Sequence, residues 1–164
     1  MVSEWCGLFS HTGKELEKLA GMDHEFDVRL EIAITNNKNY AGTLPSKGVR
    51  TYYAARFADI NKALMNPQVV KDNSLVTLNG YMGILPADVL RNLKLRGCKV
   101  YNIHPAPIQM YPELRGKDPQ ERMYEGIQKR EYNFIGVVIH EVDEGVDTGK
   151  IGRASCRERV YWPV

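Results

Sequence analysis

Apolar and polar positions alternate along the chain in a pattern that switches between strand and helix. An apolar run over Glu4–Phe9 leads into the turn Ser10-His11-Thr12-Gly13. Leu16, Leu19 and Ala20 then recur at helical spacing over Lys14–Ala20. Val28–Thr35 reads as a strand, with Val28, Leu30, Ile32 and Ile34 alternating against Arg29, Glu31 and Ala33. Asn36–Gly48 is rich in Asn, Gly, Pro and Ser and predicts a loop. A third strand is expected over Val49–Tyr53, a helix over Arg56–Met65 and a buried strand over Leu75–Leu78. Gly80–Leu85 reads as a loop. Pro86–Leu95 reads as a helix with proline in its first turn, where a missing N–H costs nothing. Cys98–Ile103 is the next strand. A long connection leads to a charged helix near Pro119–Lys129 and an apolar strand over Phe134–Val142.

Strands alternating with helices predict an α/β fold with a mostly parallel sheet covered on both faces. Such sheets bind ligands beyond the carboxyl ends of their strands. Three strand ends carry residues suited to chemistry. Ser10-His11-Thr12-Gly13-Lys14 joins a strand to a helix and can aim backbone N–H groups at an anion, with Lys14 adding charge. Taken alone, the same residues read as a helix cap built on Ser10 or Thr12. Asn102-Ile103-His104-Pro105 puts an amide and an imidazole on one side of a strand, where both can donate to an oxygen gaining negative charge. His140–Gly149 sets a histidine, four carboxylates and two glycines at the end of an apolar strand. There Asp147 is placed to accept a proton or to orient a histidine. A solvated acidic turn is the plainer reading of that stretch. A metal held by His104, His140 and a carboxylate is chemically allowed, but no clustered ligand spacing supports it, and no metal is expected. Arg115-Gly116-Lys117-Asp118 reads as a surface loop.

Composition narrows the setting. The 164 residues are one domain's worth, and 43% hydrophobic content suffices for a core. No apolar run is long enough to cross a bilayer, and the start of the chain, with Glu4 and no basic flank, does not read as a signal peptide. Three widely spaced cysteines suggest neither a disulfide framework nor a zinc site. A cytoplasmic protein is expected. Ile151–Val164, I-G-R-A-S-C-R-E-R-V-Y-W-P-V, shows no apolar alternation and resembles a sequencing-adapter read-through. We therefore expect residues 1–150 to be an incomplete catalytic domain and 151–164 a non-native tail. That tail holds three of the 22 basic and one of the 20 acidic side chains, leaving 19 of each elsewhere. A balanced charge gives no reason to expect a nucleic-acid or membrane surface.

Together, N-I-H-P from Asn102, Y-P-E-L-R-G-K-D-P from Tyr111 and H-E-V-D-E-G-V-D-T-G from His140 resemble the folate-dependent formyltransferases. The pattern is most like those acting on glycinamide ribonucleotide in purine biosynthesis and, more distantly, on methionyl-tRNA. The resemblance runs from about Leu8 to Gly149. It implies a Rossmann-like fold of the family's N-terminal type, here lacking its last strands, and transfer of a formyl group from 10-formyltetrahydrofolate to an amine. By the same resemblance Asn102, His104 and Asp147 form the catalytic set, with His140 beside it. Asn102 and His104 stabilise the oxyanion; Asp147 keeps His104 charged and helps to move the amine proton. Met82, Gly83, Ile84 and Leu85 match the folate loop, with the backbone of Asp143–Asp147, including Glu144, opposite. The family often has a larger residue where Gly83 stands. Ser10, His11, Thr12, Gly13 and Lys14 match a phosphate-binding loop, but the family's S-G-N-G-S-N is S-H-T-G-K-E here. The implied partners are folate and a small phosphorylated amine. The alternatives are a tRNA or nucleotide-sugar amine as acceptor, water as acceptor in a hydrolase, and a non-catalytic folate- or nucleotide-binding fragment.

Overall fold

A computed structural model describes residues 4–22 and 28–157. The chain divides into two compact units, 1–101 and 102–164. In the first, β1 (Trp5–Phe9) is buried at every position. It pairs in parallel with β2 (Leu30–Thr35) on one side and β4 (Leu75–Leu78) on the other. β3 (Arg50–Tyr53) extends the sheet in parallel beyond β2. The order is β3-β2-β1-β4, followed by the first half of β5 (Lys99–His104), whose Lys99 amide donates to the Ser74 carbonyl.

Side-chain size explains how α1 (Lys14–Ala20) lies on this sheet. A Cβ at Gly7 would stand 2.6 Å from a methyl of Leu16, which is itself fully buried. Glycine at the centre of β1 therefore lets α1 approach the backbone closely. Trp5, Phe9, Leu16, Leu30, Ala33, Leu44 and Val49 form the core on that side. Cys6 and Leu8 alternate to the opposite face and are also fully buried, so β1 is covered on both faces. Within this unit α2 (Phe57–Met65) and α3 (Ala87–Leu95) pack together, burying Ile60, Ala63, Leu64, Val89 and Leu93. Pro86 is the residue before α3, not part of its first turn: its extended ψ of 154° ends the preceding loop. A buried polar chain crosses the sheet, from the Trp5 indole N–H to Thr77 Oγ1 at 2.7 Å, and from that hydroxyl to Asn79 Oδ1 at 2.7 Å.

The strand order reverses direction between β1 and β4, so the loops leaving their carboxyl ends diverge there. Those loops are tied to each other. The Ser10 amide donates to the Gly80 carbonyl at 3.1 Å, and the Met82 amide to Ser10 Oγ at 3.0 Å.

In the second unit the end of β5, β6 (Ile135–Glu141) and β7 (Ile151–Arg157) are successive neighbours, with β6 and β7 antiparallel. α4 (Pro119–Gln128) follows a turn over Pro112–Leu114. Ala106, Ile108, Leu114 and Val138 form its core, flanked by Tyr111, Met123 and Tyr132. β7 was not expected from the sequence. Its side chains do not alternate, but β6 offers backbone N–H and C=O groups, and pairing with them requires no apolar face. Among the described residues no helix is long and apolar enough to cross a membrane.

Substituting Gly7→Val should lower unfolding free energy by about 1–3 kcal/mol through overpacking against Leu16. Urea titration checks this. Adding Leu16→Ala should recover part of the loss, because the two side chains compete for one space.

Candidate active site

Asn102 and His104 lie two residues apart at the end of β5 and so project to the same side. His140 lies near the end of β6, and the loop after it carries Asp147. That loop folds back tightly. The Glu141 amide donates to the Lys150 carbonyl, and a Cβ at Gly149 would stand 1.8 Å from the Glu141 oxygen. Only glycine permits this return. Inside the turn, Asp143 Oδ1 accepts from the Gly145 amide at 3.0 Å and from the Thr148 hydroxyl at 2.7 Å. Asp147 itself has φ of +53°, a conformation that costs a non-glycine residue energy and persists where the surroundings hold it.

What holds it is a ring of donors around its carboxylate. Oδ1 accepts from Asn102 Nδ2 at 3.0 Å and lies 3.2 Å from His140 Nε2. Oδ2 lies 3.2 Å from His104 Nδ1 and accepts from the Gly116 amide at 2.8 Å. Arg115 Nε donates to the Asp147 carbonyl at 3.0 Å. The Asp147 side chain is 10% exposed, and both histidine side chains less than that. Asn102, His104, His140 and Asp147, which the family resemblance implies as one set, stand together in the structure. Arg115 and Gly116, a surface loop by their sequence, join them; the signal for these two is their place within the Y-P-E-L-R-G-K-D-P stretch.

Each histidine stands between two acceptors. His104 faces Asp147 through Nδ1 and the Leu114 carbonyl, at 2.9 Å, through Nε2. His140 faces the Glu141 carbonyl, at 2.8 Å, through Nδ1 and Asp147 through Nε2. Donation from both nitrogens of His140 makes that ring an imidazolium. Burial pulls the His140 pKa down, but the hydrogen bonds to Asp147 and the Glu141 carbonyl outweigh it and raise the pKa above 6.5. Burial likewise opposes ionisation of Asp147. The donors from His104, His140 and Gly116 prevail and hold its carboxyl far below the usual carboxylate range.

The remaining candidates are differently placed. In the first unit Met82 and Ile84 are 51% and 74% exposed, whereas Leu85 is buried in the core. A Cβ at Gly83 would meet the Tyr81 hydroxyl at 2.6 Å and the Phe57 ring at 2.7 Å. His11, Thr12 and Lys14 are exposed, and the His11 carbonyl accepts from Asn37 Nδ2 at 2.7 Å. Ser10 uses its oxygen on the Met82 amide, and Gly13 caps α1 with φ of +69°. In the second unit Asp143 and Glu144 are exposed, and Asp143 is spent on its own turn. Among the described residues no three His, Cys, Asp or Glu side chains stand together as a metal site.

The linked shifts have opposite pH dependence. Asp147 contributes stability above the ordinary carboxylate range, lost as pH falls through its depressed value. His140 contributes stability below 6.5, lost as pH rises through its raised value. In Asp147→Asn the carboxylate is gone while burial still opposes the charge, so the His140 midpoint should fall relative to the parent. An NMR titration of the imidazole C–H signals checks this, and equal midpoints would refute the pairing.

The sequence profile of the family described as formyl transferase matches residues 24–155. Phosphoribosylglycinamide formyltransferase from Dictyostelium discoideum is 26% identical over 137 residues, covering 82% of this chain and 62% of that protein. The enzyme of the same name from Bacillus subtilis is 32% identical over 94 residues, covering 57% of this chain and 43% of that protein. The chain thus spans less than two thirds of each of these relatives. A solved phosphoribosylglycinamide formyltransferase from Anaplasma phagocytophilum superposes with a TM-score of 0.77 at 25% identity, covering 100% of this chain and 76% of that one. The matched span holds Asn102, His104, His140 and Asp147, and the chain belongs to the formyl transferase family.

Proposed function

We propose that the chain is an enzyme that transfers a formyl group from 10-formyltetrahydrofolate to the amine of a small phosphorylated acceptor such as glycinamide ribonucleotide. One observation carries the reading: a single buried carboxylate, Asp147, is hydrogen-bonded to both Asn102 and a histidine, His104, that projects with it from one strand end. The names of the relatives point to the same acceptor. The reading carries with it a cytoplasmic enzyme that needs no metal, with folate and a small amine as partners and not a nucleic acid.

Formyl transfer to an amine places negative charge on the formyl oxygen as the new C–N bond forms. Asn102 Nδ2 has one hydrogen on Asp147 and lies 3.3 Å from His140 Nε2; with that ring nitrogen donating to the carboxylate, the second amide hydrogen is left for the formyl oxygen. His104, held through Nδ1 by the carboxylate, supplies the second donor from Nε2. That nitrogen now donates to the neutral Leu114 carbonyl, and a developing oxyanion is the stronger acceptor and displaces it. A carboxylate so strongly stabilised as an anion is a weak base. Asp147 therefore stays ionised and keeps His104 oriented while the proton passes from the amine to the folate nitrogen. When bound, the folate supplies the formyl carbon and the nitrogen that leaves it.

Two features of the first unit suit the two ligands. Met82 and Ile84 keep large apolar side chains exposed after β4, as a flat heterocycle would require. His11, Thr12 and Lys14 are exposed together after β1, where a phosphate would meet hydroxyl, imidazole and ammonium donors. Residues 151–164 stay outside this assignment.

The test is a formyl-transfer assay with 10-formyltetrahydrofolate and glycinamide ribonucleotide. His104→Ala and Asn102→Ala should each lower kcat by about 10²–10³-fold with folate affinity little changed, because the lost donor acts mainly in the transition state. Near-normal turnover in either variant would remove the assignment.

A further inference from the structure

Resting on that reading, we propose that Arg122 is a positioning residue for the catalytic set, acting through the three peptide groups at 113–115. Arg122 lies in the first turn and a half of α4 and touches none of Asn102, His104 or Asp147 through any of its hydrogen bonds. Its guanidinium instead grips two carbonyls. Nη1 donates to the Glu113 oxygen at 2.5 Å and Nη2 to the Arg115 oxygen at 2.6 Å. These are the peptide groups on either side of Leu114. With its two neighbours turned toward α4, the Leu114 carbonyl is presented to His104 Nε2 at 2.9 Å. Gly116, whose amide shares a peptide group with the Arg115 carbonyl, donates to Asp147 Oδ2, while the Arg115 side chain holds the Asp147 carbonyl. One side chain thus fixes the orientation of a segment that touches both His104 and Asp147.

The chemistry favours arginine for this task. A guanidinium offers two parallel N–H donors in a rigid plane, matched to two carbonyls separated by one residue. A lysine ammonium is a single point with no fixed fork, and holds one carbonyl well or two poorly. The segment's own backbone restraints are the two bonds of one turn, from the Leu114 amide to the Tyr111 carbonyl and from the Arg115 amide to the Pro112 carbonyl. Its turn spans only Pro112–Leu114, and the flanking Lys117 and Asp118 are exposed. Leu114 is buried, which anchors the side chain but leaves the direction of its carbonyl to the hydrogen bonds. Without Arg122 the 113 and 115 carbonyls are released, and the donors and acceptors set against His104 and Asp147 lose their fixed geometry.

The test uses Arg122→Met, which keeps an apolar stem, and Arg122→Lys, in the full chain. The first readout is the ring N–H signals of 15N-labelled protein, which do not depend on turnover. In Arg122→Met the His104 Nε2–H signal should broaden or vanish through faster solvent exchange, while the His140 Nδ1–H signal, held by the Glu141 carbonyl, persists and reports an intact fold. The second is kinetics: kcat should fall about tenfold to a hundredfold, the scale of a misplaced catalytic group, with KM for folate changed little. Millimolar guanidinium should restore part of the Arg122→Met loss, and Arg122→Lys should lie between parent and Met. An unchanged His104 signal beside an intact His140 signal overturns the proposal. So does a loss of both signals together, which would make Arg122 a fold residue. If the parent fails to transfer formyl groups yet the ring signals respond as expected, the reading of function fails and the positioning role stands.

Discussion

A buried carboxylate remains an anion only where donors surround it, and much of the second unit is arranged to supply them to Asp147. Four come from β5, β6 and the loop before α4: Asn102, His104, His140 and the Gly116 amide. Bringing them together requires a left-handed backbone at Asp147 and a glycine at position 149 for the return to β6. Both features cost conformational freedom, and both follow from where the carboxylate must sit. The ionised state then propagates outward. It raises the pKa of His140, and it orients the His104 ring through Nδ1 so that Nε2 faces the Leu114 carbonyl.

The first unit obeys a different constraint. Its sheet reverses strand order between β1 and β4, and the two loops leaving that point are stitched together through Ser10, Gly80 and Met82. The stitch explains why serine at position 10 suits a loop that otherwise departs from a glycine-rich pattern: its oxygen is engaged by backbone and leaves recognition to neighbours. His11, Thr12 and Lys14 remain exposed. What this loop presents to solvent is therefore side chains more than a glycine nest.

Much of this was legible in the residues. Period-two and helical spacing located β1 to β6 and α1 to α4 to within one or two residues, most plainly where an element buries an apolar face, as β1, β2 and α2 do. β7 was not legible, since an edge strand can be recruited by backbone pairing alone. Likewise, Asn102 and His104 stood out through their spacing on a strand. Arg115, Gly116 and Arg122 did not, because their work is done by a backbone amide and by contacts to carbonyls. Such groups leave no mark on a hydrophobicity pattern. An arginine in a charged helix looks the same whether it faces water or holds a turn in place.

The two histidines around Asp147 are alike in burial and in their bond to the carboxylate, yet their outer bonds differ in kind. His140 Nδ1 donates to the carbonyl of the next residue, Glu141, which belongs to the same strand. Breaking that bond would disturb β6 itself. His104 Nε2 donates to the Leu114 carbonyl ten residues away, in a short turn outside any strand. That bond can be broken without unpairing the sheet. Under the proposed function the asymmetry divides the work: His140, bound on both sides, helps to hold the carboxylate ionised, and His104 is the ring free to turn its outer nitrogen from the Leu114 carbonyl to the substrate.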